Sequence, residues 1–178
     1  MIEHEVSTAK GRIHVNEYPG EGPAIVMTHG FPDDSRIYDR LIPELAGRRA
    51  VTFDFLGHGR SGREAIWPLE SGQREGELAA IVDALGIEKP VLVGHDIGGP
   101  VVIRYALANP GRVGGMVLSR LDFPVTIAFG ADDPYMNAGV AQHLHSIFGK
   151  SVLKTIPNAA HWPQWDQPAA TAAVITAI

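Results

Sequence analysis

Five short stretches of the chain combine reactive side chains with turn-like composition: His29-Gly30-Phe31-Pro32, Asp54 to Gly62, Gly94 to Gly99, Gly130-Ala131-Asp132-Asp133-Pro134 and Asn158-Ala159-Ala160-His161-Trp162. The third says most. Val91-Leu92-Val93 reads as a buried strand, and Gly99 to Ala108 repeats apolar residues at three and four positions as a helix does. Gly94-His95-Asp96-Ile97-Gly98 therefore turns a strand into a helix, with a glycine two positions either side of Asp96. This is the spacing of a G-x-nucleophile-x-G elbow, where the reactive residue sits on strained backbone and its neighbours must be small. The helix dipole favours an anion at that point. An isolated aspartate there would read as a helix cap; the glycine spacing and the preceding strand favour a nucleophile.

The elements that must position these loops follow from hydrophobic patterning. Glu5 to Thr8 and Arg12 to Tyr18 alternate weakly around Lys10-Gly11, as an antiparallel hairpin does. Ala24 to Thr28, Ala50 to Asp54, Val91 to Val93, Val113 to Leu118 and Val125 to Phe129 are mostly continuous apolar runs, the pattern of strands buried on both faces. Ser151 to Ile156 reads as the last strand. Helix-like stretches run from Arg36 to Leu45, Gln73 to Leu85, Gly99 to Ala108, Ala138 to Phe148 and Gln167 to Ile178. This alternation predicts an α/β fold, a mostly parallel sheet with helices on both faces and an N-terminal antiparallel hairpin, in one core domain spanning residues 1–178. In such sheets ligands bind at the carboxyl ends of strands, where all five stretches lie.

Gly94-His95-Asp96-Ile97-Gly98-Gly99 with His29-Gly30-Phe31-Pro32 resembles the epoxide hydrolase and haloalkane dehalogenase branch of the α/β-hydrolases, over nearly the whole chain. The resemblance implies an order of nucleophile, acid and histidine, supplied here by Asp96, Asp133 and His161, with Asp132 the nearest competitor for the acid. It implies an oxyanion or leaving-group hole from the backbone N–H groups of Phe31 and Ile97. His29, Gly30, Pro32, His95 and Trp162 would line the site. His29 reads better as a bonding partner of loop backbone than as a catalytic group, and a tight turn beside a site favours a cis Phe31-Pro32 bond.

Free aspartate titrates near pH ~4, so a carboxylate nucleophile needs no base to attack. Attack on an sp3 carbon bearing a strained ring oxygen or a halide gives an alkyl ester, which water activated by His161 then hydrolyses. An ordinary ester would give an anhydride instead, so the expected substrate is a small apolar epoxide or alkyl halide. The sequence departs from its relatives in two places. Haloalkane dehalogenases usually carry Trp after the nucleophile, fluoroacetate dehalogenases Arg, and many epoxide hydrolases Trp; here the residue is Ile97. Relatives also insert a helical cap whose tyrosines protonate the epoxide oxygen, whereas Ser119 to Pro124 runs almost directly into the next strand. A capless core is expected, with the insertion near 119–124 absent. Of Tyr18, Tyr38, Tyr105 and Tyr135, only Tyr38 and Tyr135 lie near the loops of interest. Epoxide hydrolysis leads, dehalogenation follows, and a noncatalytic binding protein or inert core is the alternative of another class.

The 178 residues include no cysteine, which excludes disulfides and thiolate metal sites. A net charge of −5 gives no basic footprint for nucleic acid. Charges scattered through Met1 to Tyr18 and the lack of any long apolar run predict a soluble, unexported, cytoplasmic protein with no membrane partner. Gly57-His58-Gly59-Arg60-Ser61-Gly62 matches G-x-G-x-x-G formally but lacks an acidic strand-end residue in a matching βαβ unit, so no dinucleotide or other cofactor is expected. His143 and His145, two apart on a helix, face different ways and make a poor metal pair. An uncovered apolar site would favour self-association into a homo-oligomer.

Overall fold

The computed structural model describes residues 1–63, 72–115, 125–135, 138–147 and 151–177, which fall into two compact units. The first comprises Met1–Arg36 and Gly47–Gly114, the second Ile37–Ala46 and Gly115–Ile178.

In the first unit, β1 (Ile2–Thr8) and β2 (Gly11–Tyr18) form the expected antiparallel hairpin, with Val6 opposite Ile13. The other strands are β3 (Glu21–Thr28), β4 (Arg48–Phe53) and β5 (Val91–Gly94), and the five-stranded sheet runs β1-β2-β4-β3-β5. β3 is flanked in parallel by β4 and β5, so successive strands go to opposite sides of it. That is a topological switch point, where a crevice opens outside the carboxyl ends of the strands. Register makes the position definite: Thr28 pairs with both Phe53 and Gly94, so the loops beginning at His29, Asp54 and His95 leave the sheet side by side. Ile25, Val26, Met27, Val51 and Phe53 are fully buried, as continuous apolar runs require. Helices α1 (Gln73–Ala84) and α2 (Gly98–Ala108) pack together, and α2 also packs on β5 and β3.

In the second unit, β6 (Val125–Gly130) and β7 (Ser151–Ile156) are parallel and joined through α3 (Ala138–Ile147), a βαβ crossover. A short helix α4 (Pro163–Asp166) leads to α5 (Pro168–Thr176), which packs on both strands.

Two expectations need correction. The helix predicted from Arg36 to Leu45 is two 3₁₀ turns, Ser35–Tyr38 and Ile42–Glu44. Pro43 has no N–H to continue an α-helix, and it is the second residue of the second turn. The apolar spacing still does its work, since Tyr38, Leu41 and Leu45 are all buried. β6 is not covered on both faces: Ile127 is buried while Ala128 is exposed, and among the described residues it pairs with β7 alone. The final helix predicted from Gln167 is present as α5, with Gln167 as its cap, and the short α4, which Pro163 initiates, precedes it. The strand predicted over Val113 to Leu118 is described only to Gly115, where Gly114 N–H bonds Pro90 O at 3.1 Å. Residues 116–118 and the Ser119 to Pro124 connection, where a cap is expected to be missing, lie outside the described residues.

Candidate functional site

In the first unit the candidate residues gather around Asp96. Asp96 has φ +50°, a left-handed conformation that costs a non-glycine residue about 1–2 kcal/mol and is held by its surroundings. The glycines beside it are there for space. A Cβ on Gly94 would lie 2.7 Å from Gly99 Cα and from Val102, and one on Gly98 would lie 2.4 Å from Thr28 Oγ1 and 2.7 Å from His29 O. Gly30 fills the same need across the sheet, since its Cβ would come 2.6 Å from Asp96 Cβ. The β3 and β5 loops therefore touch at Asp96. There, Phe31 N–H donates to Asp96 Oδ2 at 2.9 Å, and the side chains of both residues are exposed. The Phe31–Pro32 peptide is cis. Ile97, which follows Asp96, is half-buried, and His95 Nε2 lies 3.8 Å from Asp33 Oδ2.

His29 holds this loop from beneath. Its Nε2 accepts Phe55 N–H at 3.0 Å, which leaves Nδ1 as the N–H that donates to Gly30 O at 2.7 Å. Both ring nitrogens thus bond backbone. Burial is the main cause that pushes its pKa down to about 4, so the ring is neutral at ordinary pH.

Two acids that the sequence reading did not single out position the same loops. Asp54 is buried and accepts Ser35 N–H and Arg60 N–H, both at 2.8 Å, tying the loop after β3 to the loop after β4. Glu77 on α1 is also buried, accepts Leu56 N–H at 3.0 Å, and burial pushes its carboxyl up. The signal for Asp54 was its place directly after a strand with Gly59 five residues on; a Cβ at Gly59 would lie 2.2 Å from its Oδ2. Glu77 gave only a polar residue at a core-facing helical position.

The glycine-rich stretch after β4 is no phosphate cradle. The amides of Gly57, His58, Arg60, Ser61 and Gly62 all donate within the protein, to Gly62 O, Phe55 O, Asp54, His58 O and Arg12 O. A dinucleotide loop needs such amides free. Among the described residues no group of three or more His, Asp or Glu could hold a metal ion, and no helix is long and apolar enough to cross a membrane.

The second unit brings Asp133 and His161 together. Gly130 pairs with Ile156 at the ends of β6 and β7, and the following loops are stitched by Ala131 N–H to Ile156 O and Asp132 N–H to Ala159 O, both 2.9 Å. A Cβ on Gly130 would lie 2.0 Å from Ala160 O, so only glycine allows this approach. His161 Nδ1 then meets Asp133 Oδ2 at 3.0 Å, while Tyr135 N–H donates to Asp133 Oδ1 at 2.8 Å. Asp133 is the histidine's partner, and Asp132 is exposed. A carboxylate on Nδ1 favours the tautomer that carries its proton there, so that Nε2 is the basic nitrogen of the ring. The rings of Tyr135 and Trp162 stand edge-on to His161, with centroids at 5.3 and 5.1 Å.

Residues 23–121 match the family described as alpha/beta hydrolase fold. Proteins of similar sequence include an epoxide hydrolase from Caballeronia sordidicola, 32% identical over 93% of this chain and 54% of its own. Lipase LipV from Mycobacterium tuberculosis is 39% identical over 60% of this chain and 40% of its own. Haloalkane dehalogenase 2 from Mycobacterium bovis is 36% identical over 65% of this chain and 41% of its own. The chain thus spans about half or less of the length of these relatives. A predicted CIB-like hydrolase from Thermoplasma acidophilum shares the fold, with a TM-score of 0.86 at 18% identity over 99% of this chain and 96% of that one.

Proposed function

We propose that this chain, which belongs to the α/β hydrolase fold family, is a hydrolase that acts through an aspartyl ester on Asp96 and opens epoxides. The observation that carries this reading is the bond from Phe31 N–H to Asp96 Oδ2. A carboxylate at the elbow with one oxygen already in a backbone donor presents the other, Oδ1, as the nucleophile. In the first step Oδ1 bonds to an oxirane carbon, the ring C–O bond breaks, and the electron pair stays on the ring oxygen, which takes a proton from water. In the second step His161 removes a proton from water as the hydroxide adds to the ester carbonyl. The negative charge then develops on Oδ2, where Phe31 N–H stabilises it, and such donors are worth about 3–4 kcal/mol in acyl transfer. Collapse returns the proton from His161 to the departing alkoxide and releases the diol, and the carboxylic acid left on Asp96 gives its proton to the hydroxide formed in the first step, restoring the carboxylate. Asp133, bonded to His161 Nδ1, orients the ring as it takes and returns this proton. The similarity to an epoxide hydrolase supports the substrate class.

Dehalogenation is a second reading, favoured by the similarity to haloalkane dehalogenase 2. Ile97 weighs against it, because an aliphatic side chain offers no donor to a departing halide.

The test is intact-mass analysis of His161→Ala after incubation with small epoxides and haloalkanes. The expected result is a substrate-sized adduct on the peptide bearing Asp96, trapped because ester hydrolysis is blocked. Halide release by the parent protein with no epoxide adduct would move the assignment to dehalogenation. No adduct with any panel member would overturn the reading in favour of a binding protein or inert core.

A further inference from the structure

We infer that the epoxide attacked by Asp96 carries an aryl group, an inference that rests on the aspartyl-ester reading above. The large hydrophobic side chains exposed among the described residues divide sharply by type. The aliphatic ones, Met1, Ile2, Leu107 and Val152, lie at the N-terminus, on β1, in the last turn of α2 and on β7. The aromatic ones, Phe31, Tyr135, Trp162 and Trp165, all lie in strand-end loops that carry candidate catalytic groups or in α4 directly after them. A general apolar surface would mix the two kinds.

In the first unit the amide of Phe31 is bonded to Asp96 itself, yet its ring is 66% exposed. The ring is supported from behind rather than loose. It stands edge-on to His58 at 6.0 Å, and His58 is fixed by Nδ1 donating to Asp33 O and Nε2 accepting from Arg74, both at 3.2 Å. Arg74 in turn lies over the Phe55 ring at 4.5 Å. This gives the glycine-rich stretch around His58 a purpose: it supports the ring of the residue whose amide binds Asp96. In the second unit His161 has the same kind of neighbours, Tyr135 at 71% and Trp162 at 37% exposure, both in perpendicular ring contact with it. Each reacting group therefore has an exposed aromatic ring beside it, while Ile97, the aliphatic residue next to Asp96, is half-buried. Aromatic pairs gain stabilisation beyond the area they bury, because ring edge and ring face carry opposite partial charge. A planar aryl substituent profits from that, and a saturated ring of the same size does not.

The experiment compares phenyl glycidyl ether with cyclohexyl glycidyl ether. Both present the same oxirane on the same ether carbon, the slightly greater electrophilicity of the phenyl compound cancels when each variant is compared with the parent, and a merely apolar site would prefer the cyclohexyl compound. With the parent protein, kcat/KM for the phenyl ether should exceed that for the cyclohexyl ether by about threefold to tenfold. Phe31→Leu and the surface variant Tyr135→Leu should each bring the ratio toward one, while Leu107→Ala should leave it in place. A ratio at or below one, with adducts still forming on Asp96 in His161→Ala, would overturn the aryl inference and leave the aspartyl-ester reading standing. A ratio that Phe31→Leu and Tyr135→Leu both leave intact would overturn it equally. No adduct with either ether would overturn both.

Discussion

Phe31 N–H donates to Asp96 Oδ2 at 2.9 Å, so the two oxygens of this carboxylate are not equivalent. If Oδ1 attacks and Oδ2 becomes the ester carbonyl oxygen, water adds to Cγ and the product leaves with Oδ1. A single turnover in ¹⁸O-water with enzyme in excess should therefore place the heavy oxygen in the Asp96 carboxylate and release unlabelled diol. Mass spectrometry of the Asp96 peptide and of the diol reads both outcomes at once. Label in the first-turnover diol would mean direct attack by water, and the proposed ester would be wrong.

His161 Nδ1 lies 3.0 Å from Asp133 Oδ2, and the other oxygen of Asp133 is held by Tyr135 N–H. Asp133→Asn keeps the shape but offers an amide that can donate where a carboxylate accepted, which favours the wrong tautomer of His161. Decay of the alkyl-enzyme should slow by about 10²- to 10⁴-fold, as in comparable triads. Asp132→Asn should change it by less than about twofold, since the exposed Asp132 side chain lies outside the histidine pair and surface substitutions have small effects. Rapid-quench measurement of ester decay in the two variants checks the contrast, and equal losses would sink the assignment.

Much of this was legible in the sequence because it rests on local patterns. Continuous apolar runs gave β3, β4 and β5, and the glycines around Asp96 gave the elbow, because only small residues fit where Gly94 and Gly98 meet neighbouring backbone. The order of acid and histidine pointed to Asp133, but only the stitching of the β6 and β7 loops decides it against Asp132. What stayed hidden depends on long-range contacts. The apolar spacing of Tyr38, Leu41 and Leu45 fits either an α-helix or 3₁₀ turns, and Pro43 decides. The bonds of Asp54 to the amides of Ser35 and Arg60, and of Glu77 to that of Leu56, join segments that no short pattern connects. Likewise, the exposure of Phe31 and Tyr135 is a property of the surface and not of any motif.

Gly98 and Gly99 are adjacent and differ in what surrounds them. A methyl on Gly98 would lie 2.4 Å from Thr28 Oγ1 and 2.7 Å from two carbonyl oxygens, whereas one on Gly99 meets nothing within 4 Å. Gly98→Ala should destabilise by about 2–3 kcal/mol through overpacking against backbone, lowering Tm by roughly 5–10 °C. Gly99→Ala, in the first turn of α2, should fall within about 1 kcal/mol of the parent, on the stabilising side, from helix propensity. Thermal melts of the two proteins make the comparison, and similar values would show that the elbow is looser than the geometry requires.

His29 makes stability depend on pH with a definite sign. Its pKa in the folded protein is about 4 against an ordinary 6.5, chiefly because burial disfavours the charged ring. Protonation would also turn Nε2 from an acceptor into a donor facing Phe55 N–H. Between these values the unfolded chain takes up the proton and the folded protein does not, so stability is full above about pH 6.5 and falls as pH drops toward 4. The gap of about 2.5 between the two values corresponds to a loss of order 3 kcal/mol. His58, lowered mainly by burial, adds in the same direction. Glu77 opposes both: burial raises its pKa above 4.5, so its contribution is full below that value and fades as pH rises through the folded one. Urea unfolding from pH 4 to 7 should show stability rising with pH in the parent. In His29→Gln, overall stability should be lower and the slope shallower by about one proton. An unchanged slope would move the effect to His58 and the other groups that titrate in this range.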